Sequence, residues 1–257
     1  MIITDFTNTY IPTDYPDFEL IKCSDISGCD MYCDDEAKKE IKKRLAAHVK
    51  GHEKTQEIFR GIHLIDSGNY HYMTRIFTEE INEPYDLVFF DNHTDMKPAM
   101  FDMLSCGSWA KEVLEKDENL RKMYMIGPRA QADELSLEKG LSEKLVIISQ
   151  DEFWDEISAI NNPKMKKIFD PSDKPLPVYL SIDKDLLDES EVKTNWDQGN
   201  MSLKVLIAIL KEICKNRTVL GADICGLFPE SAGNAQAKCA YENGSKTDIQ
   251  IINALSL

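Results

Sequence analysis

The sequence predicts an α/β fold in which helices cover both faces of a mostly parallel sheet. Three observations predict it. At least six short apolar runs alternate with helical patterns along the 257 residues, the order expected of repeated βαβ units. Two of those runs, Tyr85–Phe90 and Pro177–Ile182, are rich in apolar residues without strict alternation, as in strands buried on both faces. Between the second run and a later strand candidate lies an amphipathic helix, with Leu203, Leu206, Ile207 and Leu210 at i, i+3, i+4 and i+7.

In chain order, residues 1–33 read as irregular with short strands, Phe18–Lys22 among them, and Ser27–Asp30 reads as a turn. A helix opens at Asp34-Asp35-Glu36 and runs to about His48, with acids in its first turn and Lys38, Lys39, Lys42, Lys43 and Arg44 beyond. That order suits the helix dipole, and the charges read as a solvated face. Gly61–Ile65 is a strand, followed by a polar turn through Gly68 to His71 and a helix through Met73, Ile76 and Phe77. After Tyr85–Phe90, a helix starts between Ser105 and Ser108 and passes Val113 and Leu114. Lys122–Gly127 and Leu145–Ile148 are strands, separated by loop and short helix. Asp151–Ile160 is a short helix, Asn161–Leu176 a connection rich in Pro, Lys and Asp, and Glu189–Asn200 a long aperiodic loop over the sheet edge. Val219–Ile224 is the last strand, and Thr247–Ala254 a C-terminal helix. With no linker, low-complexity tract or internal repeat, residues 1–257 read as a single domain.

The net charge is −15, from 30 Lys+Arg against 45 Asp+Glu, which argues against nucleic acid and anionic membrane as partners. No apolar stretch reaches the roughly 18 residues of a membrane helix. The N-terminus, Met1–Phe6, lacks the basic and apolar regions of a secretory signal. The seven cysteines are odd in number and contain no Cys-x-x-Cys pair, although Cys23, Cys29 and Cys33 lie close together. The expectation is a reducing, cytoplasmic setting without a structural zinc site.

The chemistry concentrates at two strand ends. Asp91, His93 and Asp95 follow one apolar run, and Asp183 and Asp185 the other. In an extended backbone, residues two apart point to the same side, so each set converges just past its strand's carboxyl end, where open α/β sheets bind ligands. Four carboxylates and an imidazole are too much negative charge for one dry site without a cation. Oxygen-rich ligation with imidazole suits Mn²⁺, and is compatible with Zn²⁺ or Fe²⁺. Two such ions about 3.5–4 Å apart would share and activate a water. The bland alternative is capping and turn-forming acids, which are common at strand ends.

Asp91-Asn92-His93-Thr94-Asp95 resembles the Asp-Ala-His-x-Asp motif of the ureohydrolase (arginase/agmatinase) superfamily, and Ser181-Ile182-Asp183-Lys184-Asp185-Leu186-Leu187-Asp188 its Ser-x-Asp-x-Asp-x-x-Asp motif. The resemblance covers about residues 60–230. Within the superfamily the chain is most similar to small bacterial members with a Cys-Gly-Ser-Trp-type segment, including those that act on arginine in peptides. The resemblance implies a three-layer α/β/α sandwich with an arginase-like central sheet. It also implies two Mn²⁺ per chain, with Zn²⁺, Fe²⁺ or Co²⁺ as substitutes, and hydrolysis of a C–N bond in a guanidino, amidino or formimino group by a metal-bridging hydroxide. Carried over, Asp91 and Asp183 bridge the ions, Asp95 completes the first ion's shell and orients the bridging hydroxide, and His93 and Asp185 complete the second; Asp95 is also the expected acceptor of the nucleophile's proton. His71 is the remaining ligand; its alternative is an ordinary residue of a helical first turn. The partners implied are a small guanidino compound or an arginine-containing peptide, and a second copy of the chain in a homo-oligomer.

The sequence departs from the family at three points. Ser105-Cys106-Gly107-Ser108-Trp109 stands where a proton-shuttling His is found, and all five histidines lie at or before His93. Gly226 occupies the position, three beyond Asp223, of the family's guanidinium-binding Glu. Asp223 or Glu230 is left to pair with a cationic substrate, against the alternatives of a strand-end acid and a helix N-terminal acid. Lys97 and Pro98 replace the contacts to a free amino acid's carboxylate, so free L-arginine is not the expected substrate. Cys106 is expected as a buried thiol; Trp109 belongs to the pocket or to the core. The rival functions are a zinc deacylase-like amide hydrolase and a catalytically impaired metal-binding protein.

Overall fold

The computed structural model describes residues 1–50, 57–129, 135, 137, 139–169, 175–229 and 235–255. The strands are β1 (Ile2–Asp5), β2 (Glu19–Lys22), β3 (Tyr32–Cys33), β4 (Gly61–Leu64), β5 (Tyr85–Phe90), β6 (Leu104–Ser105), β7 (Leu120–Gly127), β8 (Leu145–Ser149), β9 (Val178–Asp183) and β10 (Val219–Cys225). The α-helices are α1 (Asp35–Lys50), α2 (Met73–Thr78), α3 (Trp109–Lys116), α4 (Lys139–Ser142), α5 (Glu156–Asn161), α6 (Pro163–Phe169), α7 (Leu203–Asn216) and α8 (Ala235–Leu255).

Eight strands form one sheet in the order β2-β1-β4-β10-β9-β5-β7-β8, and every pairing in it is parallel. Alternate residues of each strand feed two cores, because a strand's side chains point to opposite faces. Leu87 and Phe89 join Ile41 of α1, Phe77 of α2 and Trp109 of α3. Val88, Phe90, Leu180 and Ile182 meet Met165 of α6, Leu206 and Ile209 of α7 and Ile251 of α8. The result is the three-layer α/β/α sandwich that the sequence predicts. Each fully buried Leu, Ile or Phe contributes on the order of 1.5–3 kcal/mol.

Four elements differ from the sequence reading. In Asp151–Ile160, a 3-10 turn at Gln150–Glu152 precedes a helix that starts only at Glu156, capped by Asp155. The Asn161–Leu176 connection contains helix α6, which starts on a proline, a residue suited to a first helical position. Asn162 caps it, its Oδ1 accepting from the backbone N–H of Lys164 and Met165 at 2.8 and 3.3 Å. The C-terminal helix begins at Ala235 rather than Thr247. Gly244 and Ser245 interrupt its apolar pattern, and the glycine packs closely: a Cβ there would stand 3.1 Å from Leu227 Cδ1. Leu104–Ser105, expected at or just before a helix start, pairs antiparallel with Tyr32–Cys33 as a separate two-stranded ribbon.

Two buried groups fix the carboxyl edge of the sheet. Asp66, held in the left-handed region at φ 32, accepts from the backbone N–H of Phe6, Thr7 and Ser67 at 2.7–2.8 Å. Its own carbonyl accepts from Leu227, so one residue ties together the chain segments leaving β1, β4 and β10. Lys184, directly after β9, is buried and pairs with Asp248 of α8 at 2.5 Å; Tyr15 donates to the other Asp248 oxygen at 2.8 Å. No helix among the described residues is long and apolar enough to cross a membrane, and all seven cysteines are free.

Candidate metal centre

Strand β5 ends at Phe90, and the chain then bends instead of staying extended, with Asp95 in the left-handed region at φ 49. Spacing by two in a straight strand is therefore not what brings the acids together. The bend sends Asp95 to one side and His93 to the other, with Asp91 between them. Nδ1 of His71 lies 3.1 Å from Asp91 Oδ2, 3.2 Å from Asp95 Oδ2 and 3.5 Å from Asp183 Oδ2. Nδ1 of His93 lies 2.9 Å from Asp185 Oδ2 and 3.4 Å from Asp91 Oδ1. The two oxygens of Asp91 thus serve two adjacent clusters.

Local structure aims each donor. His71 closes the 3-10 turn Gly68–Tyr70 after β4. Gly68 leaves room for it: a Cβ would stand 2.9 Å from Trp196 and 3.0 Å from Asp183 Oδ2. Asp183 caps the 3-10 turn Lys184–Leu186 by accepting from Asp185 N–H at 2.9 Å. The backbone N–H groups of His93 and Asn92 donate to Asp91 and Asp185 at 2.6 and 3.1 Å. Trp109 is wholly buried, and its Nε1 donates to Asp95 Oδ2 at 2.6 Å, so it serves core and site together.

Burial, then repulsion from Asp185 and Asp91, pushes the Asp183 carboxyl up. Burial and Asp91 do the same to Asp185, against the pull of His93. Hydrogen bonds to Asp185 and Asp91 push His93 up to about 11. Among the described residues no lysine or arginine pairs with these four carboxylates. The donors nonetheless fit two divalent cations: four carboxylates balance their charge, and both imidazoles turn Nδ1 to the centre. Three groups of donor atoms, His71/Asp91/Asp95, Asp91/His93/Asp185 and His71/Asp183/Cys225, each lie within 4.8 Å. Cys225 had no signal in the sequence, since its approach depends on the pairing of β10 with β9.

Behind the centre, His71 Nε2 is 2.9 Å from the Ser181 hydroxyl, which donates to Asp223 Oδ1 at 2.8 Å; Thr74 adds a hydroxyl 3.1 Å from the same oxygen. This corrects the expectation that Asp223 meets the substrate. It is fully buried behind His71 and Ser181 and does not line the cavity. Glu230, the other candidate for that role, lies outside the described residues.

In front of the centre is a cavity of about 490 Å³, walled by Tyr32, Met100, Cys106 and Trp196 with Lys97 and Arg129. Trp196 comes from the Glu189–Asn200 loop, which does lie over the site: its Nε1 donates to Asn69 at 2.9 Å, and its ring is 5.8 Å from that of His93. Burial, then Asp95, pushes the Cys106 thiol up to about 12, as befits the buried thiol expected there.

A model of the arginase family matches residues 4–243. An uncharacterized protein of Thermotoga maritima is 34% identical over 166 residues, which is 65% of this chain and 58% of that protein. Among solved structures, the proclavaminate amidino hydrolase of Streptomyces clavuligerus superposes with a TM-score of 0.65 at 15% identity, over 93% of this chain and 76% of its own. The formimidoylglutamase of Bacillus subtilis gives 0.65 at 14%, over 99% and 86%. The arginase of Bacillus caldovelox gives 0.60 at 14%, over 99% and 96%. At such identities these likenesses speak for the fold.

Proposed function

This chain belongs to the arginase family, and from that premise we propose that it is a binuclear metal-dependent hydrolase cleaving a C–N bond of a guanidino, amidino or formimino group. The observation that carries the proposal is the division of Asp91 between the His71 and His93 clusters. His71, Asp91, Asp95 and Asp183 would hold one ion; Asp91, His93, Asp183 and Asp185 the other, Mn²⁺ being the family's usual choice. When bound, the pair supplies a water activated at neutral pH and cancels the carboxylate charge.

The chain's own groups do the rest. Asp95, oriented by Trp109, accepts the nucleophile's proton and returns it to the leaving amine. Trp196 and its loop narrow the mouth and limit bulk water over the reacting carbon. No carboxylate of β10 clamps the substrate, because Asp223 stands behind His71 and Gly226 has no side chain. Among the described residues, the charged groups on the cavity wall apart from the donors are Lys97 and Arg129, the latter also paired with Asp151 at 2.8 Å. They favour a substrate whose distal end is anionic: a small amidino or formimino acid, or an arginine-containing peptide with a nearby carboxylate. The amidino and formimino names among the structural relatives put such compounds first in a screen.

The test is elemental analysis after Mn²⁺ loading, followed by a screen of guanidino, amidino and formimino acids for released urea, ammonia or formamide. About two ions per chain, lost together in Asp91→Ala, with turnover of one compound, is the expected result. One ion favours a deacylase-like site; no ion would end the hydrolase reading.

A further inference from the structure

Strands β9 and β10 place two pairs of residues side by side: Ser181 with Asp223, and Asp183 with Cys225. In each strand the two positions share a face, being two apart. The inner pair backs His71. The outer pair stands at the centre itself, with Cys225 Sγ 3.1 Å from Asp183 Oδ2. The donor atoms of His71, Asp183 and Cys225 all fall within 4.8 Å of one another. That is about the span of two donors on opposite sides of one ion, each at roughly 2.0–2.3 Å.

The next residue keeps this approach open. Gly226 turns the chain in the left-handed region at φ 88, and a Cβ on it would stand 2.7 Å from Asp183 Oδ1. A side chain there would collide with the carboxylate, so Cys225 is the last side chain that β10 offers to the centre. Cys225 is 1% exposed and off the cavity wall. Cys106, by contrast, lines the cavity.

We propose that Cys225 is a sulfur ligand of the ion held by His71, and that this position therefore selects Zn²⁺, Co²⁺ or Fe²⁺ over Mn²⁺. The proposal rests on the metal-centre reading above. As the sulfur–metal bond forms, the thiol proton leaves to solvent. Thiolate is a soft donor that favours zinc and iron, whereas carboxylates alone suit manganese. The His71 position combines both donor types; the His93 position has oxygen and nitrogen only.

The test reads ligation, not turnover. The wild-type chain is loaded with Zn²⁺ and examined by X-ray absorption at the zinc edge. It is loaded separately with Co²⁺ and examined for a near-ultraviolet sulfur-to-cobalt charge-transfer band. A sulfur neighbour at roughly 2.3 Å and a band that vanishes in Cys225→Ser but persists in Cys106→Ser are expected. In an equimolar mixture, the zinc-to-manganese ratio bound by Cys225→Ser should drop by about tenfold. A zinc edge with only nitrogen and oxygen neighbours, or a band that survives Cys225→Ser, overturns the proposal. If that variant does not fold, a zinc-edge sulfur neighbour that persists in Cys106→Ser decides in its place. Amidine hydrolysis with a sulfur-free edge leaves the hydrolase reading standing and removes this one. A sulfur ligand without turnover on any substrate does the reverse.

Discussion

The Ser181 hydroxyl lies 2.9 Å from His71 Nε2, on the side of the imidazole away from the carboxylates. Because that hydroxyl donates to Asp223, it accepts from His71, which fixes the proton on Nε2 and frees Nδ1 for a cation. Partners of this kind typically govern 10–100-fold in metal affinity. Ser181→Ala should keep its fold and bind metal about 10–100-fold more weakly. A competition titration against a chelator measures this; unchanged affinity would remove the orienting role.

Asp95→Asn should retain the Trp109 contact, since an amide oxygen can accept the same bond, and should hold metal nearly as well. It cannot take a proton. Turnover should fall by about a hundredfold or more with metal content little changed, as read by steady-state rates beside elemental analysis. Full activity would strip Asp95 of its role as base.

The Lys184–Asp248 pair is a stability element placed between two metal donors. Lys184→Met leaves Asp248 buried with only the Tyr15 bond, and should cost about 3–5 kcal/mol in urea unfolding. Adding Asp248→Leu should recover most of that loss, because an apolar pair can replace a buried ion pair. A single variant as stable as wild type would refute the account.

His63 contributes to the pH dependence of stability. It is buried and stacks on Phe77 with ring centroids 4.4 Å apart, and burial holds its imidazole down at about 3. Below an unfolded value of about 6.5 the unfolded chain binds a proton that the native chain refuses. The contribution of His63 to stability therefore falls as pH drops from about 6.5 toward 3, by about 2 kcal/mol at pH 5. In unfolding curves, the stability change of the wild type between pH 7 and pH 5 should be less favourable than that of His63→Phe by about 2 kcal/mol, the raised Asp183 and Asp185 carboxyls acting in the opposite sense in both. Equal changes would exclude His63 as a source.

Much of this was legible in the residues. The runs ending at Phe90 and Ile182 are apolar because both sheet faces are covered, and the acids beyond them, being costly to bury singly, announce a cation. His71 was legible from its polar turn after a strand. Asp223 was misread because sequence places it on a strand but not at a depth; two residues along β10 separate Cys225, beside the carboxylates, from Asp223 in the layer behind them. Cys225 was silent for the same reason, since only the β9–β10 register brings it beside Asp183. Lys184 and Asp248 are 64 positions apart, and no local pattern links them. Trp196 was hidden in an aperiodic loop, although the loop itself was placed over the site.

The sheet order also governs how the molecule comes into being. β10, the last strand in chain order among the described residues, inserts between β4 and β9. Without it, β2-β1-β4 and β9-β5-β7-β8 share no strand pairing, with His71 following a strand of one group and the four acids at strand ends of the other. Such non-local closure is slow and leaves strand edges exposed. A chain stopped before Val219 would hold His71 and all four acids yet present them on unjoined edges. The His71 cluster, unlike the His93 cluster that β5 and β9 bring together by themselves, thus depends on the strand that carries Asp223 and Cys225.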